Sequence, residues 1–364
     1  MVFYLLYQLF YQPEGLLRFL RIFRSITFRT GGAIVTAFLI SIIFGPFFIR
    51  HLKRLNFGQV IRDDGPESHK SKAGTPTMGG LFILLSILIS LLLWTDLSNT
   101  FVLISFIIIF LVGILGLTDD LLKIKMKNSK GVIAKIKITF QVLIAILIFI
   151  ILYRINHNYP STILYFPILK NVHLNLGIFY VFVVIIVFTG SSNAVNLTDG
   201  LDGLAIGSTT IAFAALGIIS YLTSHVVFAK YLNLPPISLA TELTVVSFSC
   251  FGAGLGFLWY NSYPAQVFMG DVGSLTLGAL FAGIAIMIKQ EILIIVIGGI
   301  FVLEALSVIM QVGSFKLSKK RIFKMAPIHH HFELKGIPEP KIIIRFWIIA
   351  LVLSLFALVT LKLR

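Results

Sequence analysis

A chain of 364 residues that is 57% hydrophobic and only 12% charged, with a mean hydropathy of +0.97, excludes a soluble globular domain and reads as a polytopic membrane protein. Its net charge of +15 points to basic loops at one membrane face and not to nucleic acid. The single cysteine, Cys250, lies in an apolar run and excludes both a disulfide framework and a cysteine-based metal site.

Residues 1–29 read as an N-terminal interfacial segment. Arg18, Arg21 and Arg24 are set among Leu16, Leu17, Phe19, Leu20, Ile22 and Phe23, the pattern of an amphipathic helix lying at the headgroups. Residues 1–11 are too short to span and lack a basic n-region, so no cleavable signal is expected. Ten apolar runs follow, at about 30–49, 78–94, 101–118, 138–153, 174–190, 204–222, 243–260, 272–288, 292–312 and 342–361, each near the roughly 17–25 residues of a spanning helix. With Arg345 counted beside the preceding loop, 20 of the 30 Lys and Arg fall on the side that begins with 50–77, and 10 on the other. The first side is therefore expected to be cytoplasmic and both termini periplasmic. The fold expected is a single all-α integral-membrane domain over 1–364, of about ten transmembrane helices. The segment 154–173 on the outer side suggests a small hairpin.

The polar clusters all fall on the expected cytoplasmic side. In the loop 62–80, Lys70 and Lys72 either contact phosphates or belong to a solvated turn; no P-loop or dinucleotide-binding glycine pattern is present. Asp119 and Asp120 are expected to end the third helix, where acids oppose the helix dipole. A cation or a proton-transfer role competes there with an ordinary charged helix end. Lys123, Lys125, Lys127, Lys130, Lys135 and Lys137 follow. Asn193, Asn196, Asp199 and Asp202 recur at every third residue, a spacing that suggests a helix running into a loop loosened by Gly200 and Gly203. Carboxylates beside hydrocarbon cost about 2.5–3.5 kcal/mol each, and no Lys or Arg lies nearby in sequence. A metal ion or polar ligand is one partner for them; a capped polar turn is the plainer reading.

Between helices seven and eight, Asn261 opens a segment that ends at Asp271 and Ser274. Asp271 is either an N-cap or a holder of Mg²⁺ bridged to phosphate. Phe268 either stacks on a base or faces lipid. Glu304, Ser307 and Gln311 form a polar stripe that should pack inward. The cytoplasmic loop 313–341 carries His329, His330 and His331, and three consecutive side chains cannot all face one ion in regular structure. Hydrogen bonding to a phosphate or carbonyl suits them better.

Together Gly74–Gly80, Leu117–Asp120, Asn193–Gly203, Asn261–Ser274 and Ala326–Glu333 closely resemble the phospho-N-acetylmuramoyl-pentapeptide transferase family, within the polyprenyl-phosphate N-acetylhexosamine-1-phosphate transferases. The Pro327–Glu333 segment is the signal specific to that branch. The resemblance implies a Mg²⁺-dependent enzyme of the bacterial cytoplasmic (inner) membrane. It would transfer phospho-N-acetylmuramoyl-pentapeptide from the UDP-linked donor to undecaprenyl phosphate, giving lipid I and UMP. By resemblance the catalytic residues are Asp119, Asp120, Asp271 and His330, with Asp271 the metal ligand and Asp119 taking or orienting a proton. Lys72, Lys123 and Lys135 would contact phosphates, with Thr77 also at the substrate. Asn193, Asn196, Asp199, Asp202 and Asn261 would line the nucleoside and sugar side, Phe268 would stack on uracil, and His329 and His331 would hold the sugar or phosphate region. The partners implied are the two substrates and the bilayer, with no nucleic acid and a homodimer compatible. Another UDP-sugar as donor is the alternative within the superfamily, and a secondary transporter is the alternative outside it. Against the transporter, only Glu304 sits at membrane depth.

Overall fold

Once an apolar segment leaves water, its amides must be satisfied within the segment, so the hydrophobic runs fold as helices. The computed structural model describes Phe10 and residues 16–55, 74–126, 131–155, 159–167 and 172–363; Lys70, Lys72, Lys127 and Lys130 lie outside the described residues. A 3-10 helix over Leu16–Arg24 is followed by α1 (Ile26–Arg54), α2 (Gly80–Trp94), α3 (Thr100–Met126) and α4 (Ala134–Tyr153). A hairpin of β1 (Ile163–Tyr165) and β2 (His173–Asn175) comes next, paired antiparallel with Leu164 opposite Leu174. Then come α5 (Tyr180–Thr198), α6 (Leu204–Ser224), α7 (Val226–Tyr231), α8 (Thr241–Asn261), α9 (Gly270–Met287), α10 (Ile294–Ile297), α11 (Gly299–Ser318), α12 (Ile328–Glu333) and α13 (Glu339–Thr360).

Among the described residues, nine helices are long and apolar enough to cross a bilayer, and α2 is a shorter apolar helix of 15 residues. The chain is thus an all-α, multi-pass membrane protein, as its composition predicts. Several boundaries differ from the apolar runs. The α3 helix continues past residue 118 to Met126, with Lys123 and Lys125 in its last turn complementing the dipole. Asp119 and Asp120 therefore sit inside the helix and do not end it. The α5 helix begins only at Tyr180, because 173–175 form β2 and 177–179 a 3-10 turn. The run 292–312 is interrupted at Gly298 and divides into α10 and α11.

The centre of the bundle is α9, buried from Asp271 to Met287. With no hydrophobic force between helices in lipid, close approach over small residues supplies the packing. Gly80 of α2 lies against the backbone of Gly273, and Gly116 of α3 against the backbone of Asp271 and Val272; a Cβ at either position would collide with main chain. Around this core, serine hydroxyls link α1, α2 and α8: Ser41 donates to Ser86 at 3.0 Å, and Ser90 lies 3.1 Å from Ser249.

One end of α1 is fixed by a buried ion pair. Arg29 donates from Nη1 and Nη2 to the two carboxylate oxygens of Glu242 at 2.8 and 2.7 Å, and Glu242 also accepts the Asp96 amide at 3.0 Å. Arg29→Met strands a buried carboxylate, an expected cost of about 3–5 kcal/mol. The check is the thermal unfolding midpoint of the purified protein. The double variant Arg29→Met/Glu242→Leu should recover much of the loss, since neither charge is then left alone.

A second buried pair closes the far end of α9. Lys289 Nζ lies 3.5 Å from Glu291 and 3.7 Å from the centre of the Tyr180 ring. Glu291 also accepts the Tyr180 hydroxyl. Burial pulls the Lys289 ammonium down to about 8 against the opposing pull of Glu291. Burial likewise raises the Glu291 carboxyl.

Candidate active site

Four helices deliver the polar groups of the site. Asp119 and Lys123 share one face of α3, four residues apart. Asp271 stands in the first turn of α9, Lys137 in the first turn of α4, and Asn196 in the last turn of α5. The carboxylate oxygens of Asp119, Asp120 and Asp271 lie within 4.8 Å of one another, and all three residues are buried. Two ammonium groups bridge them. Lys123 Nζ is 2.6 Å from Asp119 and 2.9 Å from Asp271; Lys137 Nζ is 2.9 Å from Asp119 and 2.8 Å from Asp271. Asn196 donates to Asp271 at 3.0 Å and to Ser274 at 2.8 Å.

Asp119 and Asp120 are adjacent yet differently employed. The two carboxylate oxygens of Asp120 accept the amides of Asp271 and Val272, each at 3.1 Å. These are unpaired donors of the first turn of α9, so Asp120 acts as its cap and sits at the positive end of its dipole. Asp119 instead accepts the Val132 amide at 2.6 Å and faces both lysines.

The turn after α5 completes the rim. Asp199 ends that helix, and Gly203 has a φ of 78°, the left-handed conformation the loosened loop requires. Burial, then the charges of Asp271, Asp120 and Asp202, push the Asp199 pKa up to about 8, against the pull of the nearby Gly270 amide, which lowers it. Asp202 accepts the Ala265 amide at 2.9 Å, and Asn261 accepts the Gly203 amide at 3.0 Å. Phe268 is half-buried, and the Phe268 and Gly79 amides pair with Pro76 and Phe268 carbonyls at 2.8 Å. This stitching sets the Thr77 hydroxyl beside Gly270. A cleft of about 640 Å³ opens alongside, lined in part by Thr75, Asp202, Tyr263, Ala265, Glu333 and Glu339.

Segments remote in sequence thus converge: Asp119, Asp120, Lys123, Asn196, Asp199 and Asp271 meet, with Thr77, Asp202, Asn261 and Phe268 around them. Other expected residues are placed elsewhere. Lys135 is exposed on the outer side of α4, and Lys137, two residues on, takes the position expected of it. The signal was legible: Gln141, Ile144, Ala145 and Ile148 mark the buried face of α4, and Lys137 falls on it four residues before Gln141. Asn193 donates to Gln141 at 2.7 Å and to the Thr189 carbonyl at 2.8 Å, a turn behind the carboxylates. The histidines occupy α12 and point three ways. His329 is fully buried against Glu304, and His330 Nδ1 is 2.6 Å from Glu333. His331 Nδ1 accepts the Lys324 amide at 3.1 Å. The imidazole of His331 is held below its usual pKa by burial and then by Lys335 and Lys324.

Three converging carboxylates are hard oxygen donors of the kind Mg²⁺ takes. Here each lysine ammonium sits where two of them meet, so the cluster already binds cationic charge. Around a phosphate the same ammoniums would offset negative charge. Residues 72–84 match the phospho-N-acetylmuramoyl-pentapeptide-transferase signature 1. Residues 100–289 match Glycosyl transferase family 4, and that stretch carries all three carboxylates. With more than half of its length in that match, the chain belongs to glycosyl transferase family 4, among the phospho-N-acetylmuramoyl-pentapeptide and polyprenyl-phosphate hexosamine-1-phosphate transferases.

Proposed function

We propose that this protein transfers phospho-N-acetylmuramoyl-pentapeptide from its UDP-linked donor to undecaprenyl phosphate, at the cytoplasmic face of the bacterial inner membrane with both termini outside. The observation that carries the reading is the Asp119–Lys123–Asp271–Lys137 cluster, where the first turns of α4 and α9 meet the charged final turns of α3. A water-soluble diphosphate and a membrane-bound phosphate can meet there, and a family that uses a polyprenyl phosphate needs such a meeting point.

In this reaction a non-bridging oxygen of the lipid phosphate attacks the sugar-linked phosphorus of the donor. The bond from that phosphorus to UMP breaks, and the electron pair leaves with UMP. The lipid phosphate is largely ionised near neutral pH, so direct displacement needs no covalent aspartyl intermediate. Lys123 and Lys137 offset charge on the transferring phosphoryl group. Asp119 takes any proton remaining on the acceptor, because both oxygens of Asp120 are committed to the α9 amides. Asp271, with the neighbouring carboxylates, would hold Mg²⁺, which when bound neutralises phosphate charge and orients the two substrates. Phe268 faces the uracil, and Asn196, Asp199 and Asp202 the nucleoside and sugar.

The test is UMP release by purified protein supplied with undecaprenyl phosphate and either UDP-N-acetylmuramoyl-pentapeptide or UDP-N-acetylglucosamine, with and without Mg²⁺. UMP is expected only from the first donor, and chelation should abolish it. Release from the second donor alone reassigns the sugar, and release from neither removes the reading.

A further inference from the structure

Glu304 belongs to a helix that otherwise touches the body of the protein little. Of the 20 residues of α11, only Gly299, Ile300, Phe301, Glu304 and Ser307 are buried. The Glu304 side chain is fully buried, and its Oε1 lies 3.1 Å from Nδ1 of His329, which is also fully buried. Neither the carboxylate oxygens nor the imidazole nitrogens make a hydrogen bond, to one another or to any other described group, so the two buried side chains meet as a close polar contact. The far edge of the ring, Nε2, fills the space that a side chain on residue 200 would need, so only glycine is accommodated there.

Gly200 is bonded directly to Asp199 and begins the turn that ends at Asp202 and Gly203. The imidazole is therefore a wedge between α11 and the rim of the site. Its neighbours on α12 are engaged elsewhere, His330 with Glu333 and His331 with the Lys324 amide. Gln311, two turns along α11 from Glu304, steadies the approach to α12 by accepting the Ile322 and Phe323 amides at 3.0 Å.

We propose that Glu304 is a positioning residue: it holds the His329 imidazole against Gly200 and so sets the turn that presents Asp199 and Asp202 to the donor, with His329 acting through that turn and not on the substrate. This rests on the transferase reading above. It separates His329 from the reacting atoms and gives a role to the single buried acid of α11.

The experiment measures kcat and the KM of each substrate by UMP release, for wild type, Glu304→Gln, Glu304→Asp, Gly200→Ala, His329→Ala and the double variant Gly200→Ala/His329→Ala. Glu304→Gln should raise the donor KM about tenfold, the equivalent of about 1.4 kcal/mol, with kcat and the acceptor KM within about twofold. Glu304→Asp should restore part of that loss. Gly200→Ala should show the same donor defect, and removing the ring should relieve it, making the double variant no worse than His329→Ala. A donor KM unchanged in Glu304→Gln overturns the proposal. So does a His329→Ala enzyme whose kcat falls about a hundredfold at unchanged donor KM, since that places the ring on the reacting atoms. If Glu304→Gln does not fold, the Gly200 and His329 variants decide alone. Wild type that releases no UMP removes the transferase reading and this inference with it, whereas active wild type beside an unaltered Glu304→Gln removes only the inference.

Discussion

Asp271→Asn is expected to lower UMP release by about a thousandfold or more while leaving a folded protein in the membrane. The substitution removes one negative charge and keeps the shape of the side chain, so packing of α9 against Gly80 and Gly116 is undisturbed. What it removes is the carboxylate that lies 2.9 Å from Lys123 and 2.8 Å from Lys137 and accepts from Asn196. Losing a pre-set electrostatic group at a reacting phosphate typically costs about 10²–10³ in rate, and weakened metal binding adds to that. The Mg²⁺ concentration for half-maximal turnover should rise in parallel. A variant with normal turnover and an unaltered Mg²⁺ requirement would remove Asp271 from the metal site.

The second large effect separates two lysines that lie two residues apart. Lys137→Ala should lower turnover by about 10²–10³, because Lys137 spans Asp119 and Asp271 at under 3 Å. Lys135→Ala, on the exposed side of the same helix, should stay within about twofold, as surface charges contribute little. Initial rates at saturating substrate decide it. Equal losses in both variants would mean that α4 does not present Lys137 to the carboxylates.

Much of this was readable from residue order. The apolar runs gave the helices, because a buried amide has few other ways to be satisfied. The three-residue spacing of Asn193, Asn196, Asp199 and Asp202 gave a helix running into a turn, and the turn with its left-handed Gly203 is there. What residue order hid is of two kinds. Rotation about a helix axis separates Lys135 from Lys137 by about 200°, and picking the inward one requires the phase set by Gln141 further along. Contacts between distant segments left no local trace. Arg29 and Glu242 are 213 residues apart. The capping of α9 by Asp120 depends on α3 running on to Met126, beyond its apolar stretch. The three histidines looked alike as a string; one turn of α12 gives each a different neighbour.

Main chain meets main chain where Gly80 faces Gly273 and where Gly116 faces Val272. The separation of α3 from α9 beneath the acids is therefore set by backbone thickness. Two bulky substrates arriving from different phases must be accommodated by the pieces hung outside this jaw: the stretch before α2, the link from α8 to α9, and the short helix of histidines. Adaptation to a different sugar or lipid would accordingly alter those appendages and leave the jaw as it is.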